Sequence, residues 1–354
     1  MSFPKLTSSD VLQFQFSSWY PTFSHVSIKS TIIRPLPQDF LDYLIHADDG
    51  VYVPEGSDDL PAQSTLSDED DDESDAEDSD EDDAPRRRFA FPVLDAQIRA
   101  CIKTYGAVFP KLNFSSPKDA AWLLPASSPL KCTAPVDVYM LLKSSDFVTH
   151  DLTAASVFTG CDFDLSSSSS SPDAAPYALE LVLRKWYPVD RSRELRCFVR
   201  QNTLLGISQR DTNYYDFLND EPTKARIVSS VRGFWETHIK PKWGTPQDYT
   251  FDILLTRDLS RGHILDFNPY ASRTDPLLFT YDDLHALSLA PSTDASRPEL
   301  RVIDSRTHPA ATSNAPEHQH NMIPFEALSL SSGRDIQEFT EAWKEGIEQS
   351  LQDT

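Results

Sequence analysis

Two carboxylates and one amide on a predicted β-hairpin are the residues of this chain best suited to bind a metal ion. The two strands are Phe251–Leu255 and His263–Pro269, joined by a polar turn. The two-residue repeat of a strand places apolar side chains on one face and Asp252, Asp266 and Asn268 on the other. With the turn at residues 258–262, Asp252 is expected across from Asn268 and diagonal to Asp266. These hard oxygen donors suit Mg²⁺ carrying a nucleotide phosphate, although a solvated hairpin face would use the same residues.

Basic and polar clusters precede this hairpin and could balance the charge of a triphosphate. They are Lys111–Asn113, Arg184–Trp186, Arg196 and Gln209–Asp211. An extended segment at 183–187 could also offer backbone N–H and C=O groups to the edge of a base. Each cluster alone is equally typical of a surface strand or loop. The sequence contains neither GxGxxG nor GxxxxGK[ST], so the common phosphate-loop folds are not expected.

Composition excludes several classes of protein. The 354 residues are 39% hydrophobic, enough for one large or two modest cores. The formal charge is −23, and residues 67–83 alone contain 13 carboxylates without a basic residue, which leaves −10 elsewhere. Nucleic acid is therefore not expected as the main partner. The absence of a long apolar run, a signal sequence and paired cysteines predicts a cytoplasmic protein without a membrane segment.

The acidic run at 67–83 is expected to be disordered because its charges repel one another. One interpretation is a solubilising insert in a surface loop. The other is a regulatory segment, because Ser67, Ser74 and Ser79 each have an acidic residue three positions on and could be phosphorylated by an acid-directed kinase.

The predicted elements indicate an α+β fold, with strands, then helices, then strands again. Strands are expected at 177–186, 194–200 and 203–209, and helices at 94–105 and 223–239. The predicted division of the chain is an N-terminal part (1–66), an acidic insert (67–88), a first lobe (89–165), a serine loop (166–173), a second lobe with the hairpin (174–289), a mostly disordered linker (290–323) and a C-terminal segment with an amphipathic helix (324–354).

Several segments, in their order along the chain, resemble the eukaryotic cell division cycle protein 123 family. They include Trp19–Pro21, Pro110–Asn113, Leu130–Cys132, Lys143–Phe147, Leu181–Trp186, Leu195–Val199, Gly206–Asp211 and Ile264–Pro269. The resemblance implies an ATP-grasp fold of two lobes with the nucleotide site between them, and ATP and Mg²⁺ as ligands. It also implies a monomer that binds the gamma subunit of eukaryotic translation initiation factor 2 (eIF2). This binding would promote assembly of the alpha-beta-gamma trimer, supporting translation initiation and cell-cycle progression.

The resemblance also assigns roles to individual residues. Asp252, Asp266 and Asn268 would bind Mg²⁺, while Lys111, Arg196 and Arg210 would contact phosphates. The base pocket would contain Arg184, Lys185, Trp186 and Tyr187, with Asp190 or Glu194 near the ribose. Asn113, Ser116, Lys131 and Gln209 complete the predicted ATP site.

One departure from wider ATP-grasp enzymes affects the expected activity. Their glycine-rich loop over the phosphates is replaced here by residues 114–118, which lack glycine, so rapid ligase turnover is not expected. The alternative functions are an ATP-grasp ligase that forms an acyl phosphate, and an acidic histone or nucleic-acid-protein chaperone that depends on residues 67–83. ADP release with candidate acids would indicate the ligase, and loss of activity on deletion of the acidic run would indicate the acidic chaperone.

Overall fold

A computed structural model describes residues 3–45, 53–58, 88–125, 127–161, 177–289 and 298–312. The helices in these ranges are α1 (Ser8–Gln13), α2 (Phe16–Phe23), α3 (Gln38–Ile45), α4 (Pro92–Tyr105), α5 (Pro135–Lys143), α6 (Asp146–Thr149), α7 (Ala154–Val157), α8 (Glu221–Phe234), α9 (Tyr281–Leu289) and α10 (Pro309–Thr312). The strands are β1 (Ser30–Ile33), β2 (Val108–Lys111), β3 (Leu181–Lys185), β4 (Glu194–Arg200), β5 (Thr203–Gln209), β6 (Tyr249–Leu255), β7 (Gly262–Pro269) and β8 (Glu299–Arg301). The mixture confirms the predicted α+β class.

The first sheet has the order β1-β3-β2 and is antiparallel throughout. Its central strand alternates between two environments, as the pleat of a strand requires. Leu181 and Leu183 are buried in one core with side chains of α3, α4 and α5. Val182 and Arg184 point the other way, and Val182 joins the core of the second sheet. The first sheet therefore presents its inner face to the second.

The second sheet has the order β7-β6-β4-β5-β8, with β8 parallel to β5 and the other pairs antiparallel. One face is apolar: Cys197, Ile207, Phe251 and Phe267 are buried there against side chains of α2 and α8. The opposite face of β4, β6 and β7 carries charged side chains. This alternation positions the candidate site, because every second residue of three adjacent strands reaches the same polar surface.

The hairpin forms at the predicted position, but its register differs from the prediction. Asp252 lies directly across from Asp266, while Asn268 lies across from Thr250. There are two reasons. Leu255 pairs with Gly262, so the connection is residues 256–261 and not 258–262. A bulge then follows: Ile253 pairs with Ile264 and Asp252 with Asp266, so Leu265 is one extra residue on β7. Consequently Ile264 faces the core, where Leu265 had been expected.

Two elements lie in a different sheet or core from their neighbours in the chain. Strand β3, assigned to the second lobe at 174–289, is the centre of the first sheet. Helix α2, assigned to a separate N-terminal part, packs in the core of the second sheet through Phe16, Trp19 and Phe23. Both elements are rich in apolar residues that either sheet could bury. Chain order alone does not indicate which of the two sheets buries them.

Residues 298–312 belong to the fold, although they were predicted to be part of a mostly disordered linker. The short strand expected near 300–303 is present as β8, paired with β5. The Ile303 N–H donates to Gln209 Oε1 (3.0 Å), and the Ile303 carbonyl accepts from Asn219 Nδ2 (2.9 Å). These bonds explain why a Pro- and Ser-rich context still contains an ordered segment.

Three predictions fall on residues outside the described ranges: the acidic run at 67–83, the serine loop at 166–173 and the amphipathic helix at 336–351. Within those ranges, none of the helices has the length and apolar character needed to cross a membrane.

Candidate functional site

A row of charged residues crosses three adjacent strands on the polar face of the second sheet. Arg196 on β4 lies opposite Asp252 on β6, and Asp252 lies opposite Asp266 on β7. Residues in such positions have Cβ atoms about 5 Å apart, so their side chains interact directly. The sheet thus brings together three residues that are far apart in sequence.

Arg196 and Asp252 form a buried, bidentate ion pair. Arg196 Nε donates to Asp252 Oδ1 (2.8 Å) and Nη2 donates to Oδ2 (2.9 Å). Arg210 approaches the same carboxylate, with Nε 3.3 Å from Oδ2. Burial alone would raise the pKa of Asp252, but Arg196 and Arg210 together hold it well below its usual range. Asp252 is therefore a carboxylate throughout the physiological pH range.

Lys111 joins the two sheets at the site. It ends β2 of the first sheet, its side chain is 1% exposed, and Nζ donates to Asp266 Oδ2 of the second sheet (2.8 Å). Nζ also donates to the carbonyl of Phe114, in the loop that follows β2. A buried ammonium that donates to one carboxylate and one carbonyl has little freedom to move. Lys111 consequently fixes the distance between the loop and the hairpin.

Arg184 is a second cation that reaches from the first sheet to β7. Nη1 donates to the Leu265 carbonyl (2.8 Å), and the guanidinium lies over the rings of Phe16 and Phe109, 5.4 and 5.2 Å from their centroids. Burial lowers the pKa of Arg184 to about 10 despite the opposing charge of Asp266. Nε and Nη2 are buried and have no hydrogen-bond partner in the part of the chain that the structure describes. An anionic group could accept from these two donors.

Lys118 and Glu194 complete the charged cluster. Glu194 Oε2 accepts from Arg210 Nη1 (3.1 Å) and lies 4.0 Å from Lys118 Nζ. The Lys118 side chain is 47% exposed, and partial loss of hydration together with the nearby Arg210 lowers its pKa to about 8, while Glu194 opposes the shift. The full cluster has five cations, Lys111, Lys118, Arg184, Arg196 and Arg210, and three carboxylates, Glu194, Asp252 and Asp266. The site therefore carries excess positive charge in a chain of net charge −23.

Three of the predicted site residues have structural partners instead. Gln209 lies on the apolar side of β5, across from Leu195, and donates to the carbonyls of Asp211 (2.7 Å) and Asn213 (2.6 Å). Asn113 ties the loop after β2 to residues 178–180 through Nδ2 and Oδ1. Asp190 caps the short helical turn 191–193 and pairs with Arg193. Strand register and local capping, which residue type alone does not reveal, account for these placements.

The predicted base-pocket residues lie together at the end of β3. Lys131 Nζ is 5.3 Å above the Trp186 ring, and Lys185 Nζ is 5.0 Å above the exposed Tyr187 ring. The N–H groups of Lys185 and Trp186 already donate to backbone carbonyls of Lys29 and Ala107. Tyr187 N–H is therefore the backbone donor of this segment that could meet a base. Ser116 is partly buried in the loop before Lys118.

The donor set fits a hard divalent cation. Two carboxylates face one another across β6 and β7, and Asn268 lies two residues beyond Asp266 on the same strand. No group of three or more His, Cys, Asp or Glu side chains suitable for a metal occurs in the described ranges. A magnesium ion here would therefore be bound by two carboxylates and water, with the Asn268 oxygen as the predicted third protein ligand. Both carboxylates are paired with cations, and these cations would have to turn toward an anionic ligand when a metal binds.

Four residues near the site were not predicted from the sequence: Phe16, Phe109, Lys118 and Asp151. Phe16 and Phe109 contact Arg184, while Asp151 accepts hydrogen bonds from the loop after β2. The lysine in the glycine-poor loop at 114–118 was a usable signal. The aromatic residues and Asp151 had no local signal, because their contacts depend on tertiary packing.

The comparisons with known proteins agree with this architecture. The D123 family profile matches residues 19–331. The Translation initiation factor eIF2 assembly protein of Schizosaccharomyces pombe is 35% identical over 345 residues, covering 96% of this chain and 97% of that protein. The protein of the same name from Xenopus laevis is 39% identical over 344 residues, covering 93% and 94%. The solved structure of Cdc123 from Schizosaccharomyces pombe is 33% identical with a TM-score of 0.64, covering 85% of this chain and 100% of that one. The resemblance seen in the sequence is thereby confirmed, and the chain belongs to the D123 family.

Proposed function

We propose that this protein binds ATP with Mg²⁺ between its two lobes and uses the bound nucleotide to assemble eIF2 through its gamma subunit. The observation that carries the proposal is the cluster of five cations beside two facing carboxylates, at the junction of the two sheets. Relatives that match nearly the whole chain are named eIF2 assembly proteins, which supports a role in eIF2 assembly. We further propose a cytoplasmic, monomeric protein with the two-lobed ATP-grasp arrangement.

Each charged group has a definite part in this proposal. Asp252, Asp266 and Asn268 would hold Mg²⁺, which neutralises phosphate charge and fixes phosphate oxygens when bound. Arg196 and Arg210 are already beside Asp252, so a short side-chain movement brings them to a phosphate. Lys111 and Arg184 come from the opposite lobe, where Arg184 has two free donors. The surplus of cations matches a polyanion better than it matches a free metal ion.

The position of the site suggests how nucleotide could act on a partner. Lys111 and Arg184 of the first sheet both contact β7 of the second sheet. A ligand that binds these residues together with the hairpin would fix the relative orientation of the lobes. A partner that recognises both lobes would then bind more tightly when ATP is present, and ATP would bind more tightly when the partner is present.

Replacement of Asp266 by Ala tests the site most cleanly. Asp266 is 21% exposed, whereas Asp252 is 3% exposed and neutralises Arg196. We expect Asp266→Ala to weaken Mg·ATP binding by about tenfold or more, because a metal ligand is lost. Calorimetric titration with Mg·ATP measures the effect. Asp258→Ala, in the exposed turn of the same hairpin, is the matched control and should bind like wild type. Equal affinity of Asp266→Ala and wild type would show that the site assignment is wrong.

The role in assembly needs a separate measurement. Purified alpha, beta and gamma subunits of eIF2 would be mixed with wild-type protein, with Asp266→Ala or with Asp258→Ala, in the presence of Mg·ATP. The yield of trimer should rise with wild type and Asp258→Ala and fall short with Asp266→Ala. A gamma subunit that binds the protein with the same affinity in the presence and absence of Mg·ATP would contradict nucleotide control.

Nucleotide affinity should depend on pH through Lys118. The pKa of Lys118 is lowered to about 8, so the cation is lost as the pH rises through this value. A bound polyanion favours the charged form and raises that pKa again. Binding should therefore be constant below about pH 7, weaken as the pH rises above about 8, and take up a proton. Calorimetry in buffers of different ionisation enthalpy measures this uptake, and Lys118→Met should abolish it.

A further inference from the structure

The loop that follows β2 is held by one buried carboxylate. Asp151, in a short helical turn after α6, is fully buried. Its Oδ2 accepts from the N–H groups of Phe114 and Ser115, both at 2.8 Å, and its Oδ1 accepts from Ser115 Oγ at 2.9 Å. A carboxylate that accepts three hydrogen bonds from two consecutive residues fixes both the position and the orientation of that peptide segment.

The same loop determines where Lys111 can place its ammonium. The Phe114 carbonyl accepts from Lys111 Nζ, and the Ser115 carbonyl accepts from Leu112 N–H (2.8 Å). Lys111 Nζ in turn donates to Asp266. A continuous series of hydrogen bonds therefore leads from Asp151 through the loop to Lys111 and on to the hairpin. Asp151 itself contacts none of the charged residues of the site.

The Asp151 bonds also change what the loop can offer to a phosphate. In glycine-rich phosphate loops, consecutive backbone N–H groups point at the ligand. Here the N–H groups of Phe114 and Ser115 point at Asp151 instead. They are not available to a phosphate unless the Asp151 bonds break. The five side-chain cations of the site can make the phosphate contacts that these two N–H groups do not.

We propose that Asp151 is a positioning residue that holds the 114–118 loop as a fixed platform and so places Lys111 for phosphate binding. The inference rests on the proposed function, because it concerns the same ATP site. Asp151 lies outside the charged cluster. It would fix the loop beside the phosphates, as closure of the loop does in glycine-rich sites. The carboxylate acts by accepting hydrogen bonds, and its charge is not required at the ligand.

A set of three variants tests this role. Asp151→Ala removes both carboxylate oxygens and the three hydrogen bonds that they accept from the loop. The variant should weaken Mg·ATP binding by about tenfold, because the loop that holds Lys111 Nζ is released. Asp151→Asn keeps an acceptor for the two N–H groups and a donor for Ser115 Oγ, so its affinity should stay within about threefold of wild type. Asp137→Ala is the matched control: Asp137 in the same lobe accepts from the N–H groups of Thr133 and Ala134 and from the Thr133 hydroxyl. It should lower stability without changing affinity.

Amide hydrogen exchange provides the readout that a general loss of stability would not give. Exchange of Phe114 and Ser115 should accelerate in Asp151→Ala, remain slow in Asp151→Asn and be unchanged in Asp137→Ala. If Asp151→Ala does not fold, Asp151→Glu serves instead, because its longer side chain displaces the loop and should also cost about tenfold in affinity.

The outcomes separate this inference from the proposed function. The positioning role alone would be overturned if wild type binds Mg·ATP and Asp151→Ala binds it equally well despite fast amide exchange at 114–115. Loss of affinity in Asp151→Asn with slow exchange would also overturn it, since charge and not position would then matter. A wild-type protein that does not bind Mg·ATP would overturn the proposed function and this inference together.

Discussion

Replacement of Asp252 by Asn is expected to lower the free energy of unfolding by about 3–5 kcal/mol, the usual cost of removing one partner of a buried ion pair. Arg196 is 9% exposed and has Asp252 as its bidentate partner. The only other bond to its guanidinium among the described residues is that of Nη1 to the Asp275 carbonyl (2.9 Å). An Asn at 252 would leave the buried guanidinium without its directly paired carboxylate, and Asp266 and Asp275 act on it only from a greater distance. Urea denaturation of the two proteins at pH 7 measures the difference.

The pH dependence of stability should identify the same carboxylate. The pKa of Asp252 is held below its usual range in the folded protein, so its stabilising contribution is fully present above the unfolded pKa of about 3.9. The contribution is lost as the pH falls through the folded pKa, because protonation then becomes equal in both states. Wild type should therefore lose stability steadily below about pH 4, and Asp252→Asn should lose less over the same range.

A double variant provides the control for this prediction. Arg196→Met removes the guanidinium that Asp252→Asn leaves unpaired, so the double variant should be more stable than Asp252→Asn alone. Additive losses in the two single variants and the double variant would mean that Arg196 and Asp252 are not coupled. The bidentate geometry would then contribute little to stability.

The hairpin shows which part of the site could be predicted from sequence. Its strands, its turn and the identity of its three polar residues follow from the two-residue repeat and the turn composition. The pairing of Asp252 with Asp266 does not, because it depends on the residue at which the turn closes and on the bulge at Leu265, and no residue type marks either of them. The bulge improves the predicted site, since it brings two carboxylates face to face.

Gln209 and Lys118 show what residue type alone does not reveal. Gln209 is the last residue of β5 and lies across from Leu195, so its neighbour Arg210 reaches the charged cluster. Lys118 reaches the cluster because the 114–118 loop is folded back by Asp151, a contact between residues more than 30 positions apart. Strand alternation is local and can be read from a sequence, whereas loop conformation depends on distant partners.

Lys111→Met should have the largest effect on ligand binding of any single change in the site. We expect Mg·ATP affinity to fall by about 100-fold, because one charge-assisted hydrogen bond in a buried site contributes about 3 kcal/mol. Lys111 is the buried cation that contacts both the 114–118 loop and the hairpin proposed to bind Mg²⁺. Met has a similar length and keeps the packing of the stem, but it donates no hydrogen bond. Its neighbour Asp266 also loses its counter-charge, so the affinity for Mg²⁺ alone should rise while the affinity for Mg·ATP falls.

These opposite changes distinguish loss of a phosphate contact from general damage to the fold. Calorimetry with MgCl₂ alone and with Mg·ATP measures both affinities on the same preparation. Lys103→Met, on the exposed side of α4 in the same lobe, removes an equal charge far from the hairpin and should change neither affinity. If Lys111→Met bound Mg·ATP within about threefold of wild type, Lys111 would be a structural cross-link between the two sheets. The phosphate contacts would then have to be assigned to Arg184, Arg196 and Arg210 alone.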